Sequence, residues 1–144
     1  MISESPFAVP VESQPGNLKI LVAEDGRSAA DILVLFFEME GHEVSVAYDG
    51  AEAVEIALSS RPHLILMDIG MPKLSGLEAV QKIRESGGGD IVIVALSGLD
   101  SIADRQRSRD AGFDEHLAKP VSPDELRALV ERYRVVGRRE LGTC

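Results

Sequence analysis

Five short apolar runs punctuate the chain, at Leu18–Ala23, Val44–Tyr48, Leu64–Met67, Ile91–Leu96 and, more weakly, His116–Ala118. The first, third and fourth are almost unbroken in Leu, Ile and Val, the pattern of strands covered on both faces. Between the runs, apolar positions fall at helical spacing. Ala29, Ile32, Leu33, Phe36 and Phe37 share one face, and Gly41 follows as a stop. Val54, Ala57 and Leu58 mark a second stripe, Leu77, Val80 and Ile83 a third, and Leu126, Leu129, Val130 and Tyr133 the last. Asp49 with Glu52, Ser75 with Glu78, and Ser122 with Glu125 each place an acceptor three residues before a carboxylate. Such pairs satisfy the free backbone donors of a helix start, and Pro123 suits the first helical position. A further helix over Ile102–Ala111 has few large apolar residues and many Arg and Asp, which predicts an exposed, loosely anchored element.

Strands alternating with helices in this way predict an α/β fold: a doubly wound parallel sheet with helices on both faces, joined by right-handed crossovers. In such sheets ligands gather beyond the carboxyl ends of the strands, where the strand order reverses. Residues 1–17 carry three prolines and few large apolar groups, the composition of a flexible tail or linker. Gly87, Gly88 and Gly89 read as a flexible connector. They do not lead from a strand into a helix, so a phosphate-cradling loop is not expected.

The 144 residues suit one domain. A net charge of −9, from 15 basic against 24 acidic side chains, disfavours phosphate-backbone binding, and an aromatic content of 4% without Trp disfavours base stacking. Direct nucleic-acid binding is therefore not expected. The single cysteine, Cys144, ends the chain, so no disulfide framework is expected and a reducing compartment is the default. No apolar run approaches the ~18 residues of a membrane span, and no basic segment leads into an apolar one at the N-terminus. The reading is a cytoplasmic domain without membrane contact.

Chemistry collects at the predicted strand ends. Glu24 and Asp25 close the first strand, Asp68 the third, Ser97 follows the fourth, and Lys119-Pro120 follow the fifth. A lone Asp after a strand is commonly a turn residue or cap. Three carboxylates delivered to one edge would instead repel one another unless a cation and the lysine relieved them. With no Cys or His at these ends, a hard cation fits better than zinc, and Mg²⁺ favours a few carboxylates plus phosphate oxygens. The combination describes a phosphoryl-transfer site, where the work is positioning and charge neutralisation.

These residues resemble the receiver domain of two-component response regulators. The resemblance runs from Leu18 to about Tyr133. It rests on Ile20-Leu21-Val22-Ala23-Glu24-Asp25, on Leu66-Met67-Asp68-Ile69-Gly70-Met71-Pro72 with Gly76, on Ala95-Leu96-Ser97, and on Ala111-Gly112-Phe113-Asp114 leading to Leu117-Ala118-Lys119-Pro120. It implies a flavodoxin-like sheet of five strands in the order 2-1-3-4-5, a receiver domain over residues 18–134, and a C-terminal tail over 135–144. Asp68 matches the phosphoacceptor. Glu24 and Asp25 match the acidic pair holding Mg²⁺, with Asp68 and the backbone carbonyl of Gly70. Ser97 matches the hydroxyl that reports the phosphoryl group, Lys119 the cation that pairs with Asp68, and Pro120 a proline after a cis peptide. Glu24 departs from the usual Asp. His116 stands where the family commonly has Tyr or Phe, and would serve as the conformational reporter, or else pack as a partly buried polar ring.

The resemblance further implies a phosphoryl group taken from a histidine kinase or histidine phosphotransfer domain, a changed surface of the fourth helix, fifth strand and fifth helix, and a monomer or weak dimer. It implies no enzyme beyond Mg²⁺-dependent self-phosphorylation and autodephosphorylation. The stretch Gly112–Val121 resembles receivers of hybrid histidine kinases, favouring the C-terminal receiver of such a kinase over a stand-alone regulator. An aspartyl-nucleophile phosphatase would want an acid two residues after Asp68, where Gly70 stands, and a flavin or dinucleotide binder would want more than Gly26 after the first strand. A receiver kept only for binding would have lost some of the five site positions. Phe36 and Phe37 read as packing residues, His42 and His63 as solvent-facing, and the charges of Asp104–Asp110 as a solvated helix face. Arg132, Arg134, Arg138 and Arg139 are too sparse for a nucleic-acid arm.

Overall fold

The strand and helix patterns are realised in a computed structural model as β1 (Lys19–Ala23), α1 (Arg27–Met39), β2 (Glu43–Ala47), α2 (Gly50–Ser60), β3 (Leu64–Asp68), α3 (Gly76–Glu85), β4 (Val92–Ser97), α4 (Ile102–Ala111), β5 (Glu115–Ala118) and α5 (Pro123–Val136). The structure describes residues 17–71 and 73–136, the last three by backbone alone. The N-terminal tail up to residue 16, Pro72, and the end of the C-terminal tail with Arg138, Arg139 and Cys144 lie outside the described residues. The sheet is parallel throughout, in the order β2-β1-β3-β4-β5.

Because side chains alternate across a strand, the sheet feeds two cores. Leu21, Ile65, Met67 and Ile93 pack against Ala53 and Ala57 of α2 and Ala79, Val80 and Ile83 of α3. On the other face Ile20, Val22, Leu64, Leu66, Val92 and Val94 pack against Phe37 of α1 and Leu126, Leu129 and Val130 of α5. Each fully buried aliphatic side chain contributes roughly 1.5–3 kcal/mol, so the central strands form a stiff platform. Local capping adds to it. Asp49 accepts from the Glu52 amide, and Ser75 with Glu78 forms a reciprocal capping box, as does Ser122 with Glu125.

Three features differ from the sequence reading. His42 is buried, and its Nδ1 accepts the Leu18 amide at 3.0 Å, while exposed His63 accepts the next amide, Lys19, at 2.9 Å. The amide just before β1 and the first amide of β1 thus end on imidazoles from the segments preceding β2 and β3. The glycine run is tied down, because Gly88 donates to the Ile83 carbonyl and accepts from Arg84 at 2.9 Å. And α4, although exposed, is held by polar bonds. It opens with an unanticipated capping box of Ser101 and Asp104. At its other end Arg84 donates to the Gly112 and Ile91 carbonyls and pairs with Asp114.

Candidate functional site

Parallel strands all point their carboxyl ends to one edge. Here that edge gathers Glu24 and Asp25 just beyond β1, Asp68 and Ser97 as the last residues of β3 and β4, and Lys119 just beyond β5. The chain leaves β1 for β2 on one side and reaches β3 on the other, so Glu24 and Asp68 flank the crevice where strand order reverses.

The Lys119 ammonium donates to Asp68 Oδ2 at 3.0 Å and to Glu24 Oε1 at 3.3 Å. The second oxygen of each carboxylate takes a backbone N–H: Gly70 gives to Asp68 Oδ1 and Gly26 to Glu24 Oε2, both at 3.0 Å. Glu24 and Asp68 are buried and Asp25 is exposed, yet one carboxylate oxygen from each of the three lies within 4.8 Å of the others. Burial raises the Glu24 pKa above its ordinary value, the Gly26 amide works against that, and the nearby Asp68 charge adds to it. For Lys119 burial acts to lower the pKa, but hydrogen bonding and attraction to Asp68 and Glu24 prevail and raise it. One ammonium faces three carboxylates. The donors at this mouth are oxygens, with no His or Cys among the clustered groups. That set suits Mg²⁺, a hard ion that takes a few carboxylates and retains positions for water and phosphate oxygens.

The backbone around Asp68 is tightly framed. Gly76, the first residue of α3, donates to the Ile69 carbonyl at 2.8 Å. A Cβ on Gly76 would lie 2.6 Å from the Asp68 carbonyl oxygen and 2.7 Å from the Ile69 Cα, so only glycine lets α3 start this close to the strand. Gly70 is brought beside Asp68 through its amide. The Lys119-Pro120 bond is cis.

From Ser97 a chain of polar contacts leads away from the pocket. The buried Ser97 hydroxyl accepts from the Leu99 amide at 3.0 Å. The Leu99 carbonyl faces His116 Nε2 at 2.9 Å, and His116 Nδ1 faces the Ser108 hydroxyl of α4 at 2.9 Å. A carbonyl can only accept, so Nε2 carries a proton, and in the neutral ring Ser108 donates to Nδ1. The ring is buried, and Arg105 of α4 donates to the His116 carbonyl while pairing with Asp100 at 2.7 Å. Sequence reasoning did not single out Ser108. It lies with Asp104 and Ala111 on the inward stripe of α4, a spacing of i, i+4, i+7 obscured by the charges around it.

Beside the carboxylates, a largely apolar groove of about 470 Å³ runs between α1 and the segment after β5, lined by Ala29, Ile32, Leu33, Leu96, Pro120 and Val121 with Glu24 and Lys119 at its margin. Ile32 is 69% exposed, and Leu35 and Met39 continue the exposed apolar face along α1.

Residues 20–131 match the family model of the response regulator receiver domain. The response regulator MprA of Mycobacterium ulcerans is 37% identical over 123 residues, 83% of this chain and 53% of that protein. The chain thus spans about half the length of the curated relatives it matches. The receiver domain of sensor histidine kinase PA1611 from Pseudomonas aeruginosa PAO1, with a magnesium ion coordinated in its active site cleft, is 31% identical with a TM-score of 0.76, covering 83% of this chain and 98% of that one. The co-crystal structure of the Saccharomyces cerevisiae histidine phosphotransfer signaling protein Ypd1 and the receiver domain of its downstream response regulator Ssk1 gives a TM-score of 0.79 at 28% identity, covering 83% of this chain and 90% of that one. With sheet order, carboxylate cluster and the match over most of its length in agreement, this chain belongs to the response regulator receiver domain family.

Proposed function

We propose that the domain accepts a phosphoryl group from a phosphohistidine onto Asp68 and converts it into a changed position of α4. One observation carries the reading: Asp68 ends β3 beside Lys119 at 3.0 Å, with Glu24 and Asp25 clustered against it. Glu24, Asp25, Asp68 and the Gly70 carbonyl would hold Mg²⁺, which when bound supplies charge neutralisation for phosphoryl oxygens. Asp68 attacks as a carboxylate, forming an acyl phosphate as the P–N bond breaks and its electron pair leaves with the imidazole. Lys119, already on Asp68, pairs with phosphoryl oxygen as charge builds. Ser97 gives up the Leu99 amide to hydrogen-bond the new oxygens. That releases the Leu99–His116–Ser108 chain and biases α4 between two arrangements. Ser97 and His116 are thus the switch pair, with Ser108 as its contact on α4.

The phosphohistidine is carried by another protein, and the apolar groove beside the pocket is the surface we assign to its docking. A histidine kinase or a histidine phosphotransfer domain is the partner this reading calls for, in the cytoplasm. Similarity to both a response regulator and a kinase receiver supports the same chemistry in either setting.

Incubation with MgCl₂ and acetyl phosphate followed by intact-mass measurement tests the reading. The expected result is the mass gain of one phosphoryl group, abolished in Asp68→Asn. No gain, or a gain that survives Asp68→Asn, overturns it. The switch is tested separately by adding a beryllofluoride phosphoryl mimic. The His116 ring and Leu99 amide resonances shift if Ser97 acts as proposed and stay in place if it does not.

A further inference from the structure

Arg27 opens α1 two residues after Asp25, and its guanidinium carbon lies 4.0 Å above the centroid of the Tyr48 ring. Both residues adjoin the backbone that carries the acid pair, Arg27 along the chain from Asp25 and Tyr48 through the strand beside Glu24. Tyr48 follows the end of β2, whose last residue, Ala47, accepts the Glu24 amide at 2.9 Å. Arg27 is exposed and Tyr48 half-buried. A cation in the first turn of a helix opposes the peptide dipoles. α1 has no side-chain cap and no acidic residue in that turn to offset it. Among the described residues no carboxylate pairs with this guanidinium, although Glu24 and Asp25 lie only a few residues away. The aromatic face holds it aside instead, through the attraction of a ring quadrupole for a cation.

The substrate of the proposed reaction is an anion entering a pocket of three carboxylates in a chain of net charge −9. Such a field repels the donor before any contact forms. We propose that Arg27, held over Tyr48, is a positioning residue that gathers the anionic phosphoryl oxygens of the donor at the pocket mouth. Tyr48 keeps the guanidinium from collapsing onto Asp25, where it would occupy a metal ligand. This inference rests on the phosphoacceptor reading and adds a determinant of donor capture to it.

The arrangement predicts effects of opposite sign. Removing the cation relieves repulsion of Mg²⁺ and at the same time weakens capture of the phosphodonor. In Arg27→Gln, titration calorimetry with MgCl₂ alone should give affinity about twofold tighter, and phosphorylation by acetyl phosphate at saturating Mg²⁺ should slow about fivefold, with a shallower dependence on ionic strength. Tyr48→Phe keeps the ring face and should match the wild type. Tyr48→Ala frees Arg27 to reach the carboxylates, so Mg²⁺ affinity should fall, and adding Arg27→Gln to it should restore the affinity. A general disturbance of the site would weaken metal binding and phosphorylation together. Arg27→Gln lowering both, or changing neither, overturns the inference while leaving the phosphoacceptor reading intact. Failure of the wild type itself to take up phosphate overturns both.

Discussion

α3 and α4 are both ten residues long and both open with a reciprocal capping box, yet they are held in opposite ways. α3 buries Ala79, Val80 and Ile83 in the core beneath the sheet; α4 buries Ser108 alone. An apolar side chain withdrawn from water is worth roughly 1.5–3 kcal/mol wherever it packs, and well-packed cores do not rearrange continuously. A single hydrogen bond contributes a net ~1 kcal/mol and can be exchanged for another. The contrast divides the labour of the fold. α3 braces the end of β3, while α4 rests on exchangeable polar contacts of the kind the proposed switch requires.

Substitutions can break or sharpen that contrast. Ile83→Ala should cost about 3 kcal/mol in urea unfolding through the cavity it leaves; a cost below about 1 kcal/mol would deny α3 its role as scaffold. Arg84→Ala should come next, at about 2 kcal/mol, because it strands the Ile91 and Gly112 carbonyls where α3 meets the C-terminal end of α4. Ser108→Ala should cost about 1 kcal/mol, with faster amide exchange confined to α4. Exchange speeding up equally across the central strands would mean that the helix unfolds with the core. The smallest effect belongs to Ser101→Ala. The Ser101 hydroxyl and amide, followed by Arg107, hold the Asp104 carboxyl below the ordinary aspartate value. A carboxyl depressed on folding adds stability that is fully present above the unfolded value and lost as pH falls through the folded one. Carbon chemical shifts of α4 should therefore lose helical character on titration down through the aspartate range, and Ser101→Ala should flatten that loss.

Much of this was legible because the fold writes itself locally. Each strand lies within a residue or so of its apolar run, and the runs are almost unbroken for the central, buried strands β1, β3 and β4. The gathering of the candidate residues was legible for the same reason: Glu24, Asp68, Ser97 and Lys119 each adjoin the end of a run, and parallel strands put all those ends together. What escaped was long-range or polar. The bond from His42 to the Leu18 amide spans 24 positions, and nothing beside a histidine announces a distant backbone donor. The Arg84 side chain reaches Gly88 in the glycine run, Ile91 just before β4 and Asp114 just before β5, polar ties that composition alone did not announce. At Ser101 the box uses Asp in place of the longer Glu, and in α4 the anchoring face consists of a serine rather than a leucine.

The close approach of Gly76 to the Asp68 peptide has a mechanical consequence. With the first turn of α3 pressed against it, the end of β3 has no space into which to recoil under the bulky, doubly charged group of the proposed acyl phosphate. The pocket behaves as a vice with one fixed jaw. On the proposed reaction the displacement would pass to the opposite jaw, the span from Ser97 to Ser101, which is held by polar contacts. A methyl group added at position 76 would press on the Asp68 peptide itself, loosening the fixed jaw and shifting the carboxylate it holds.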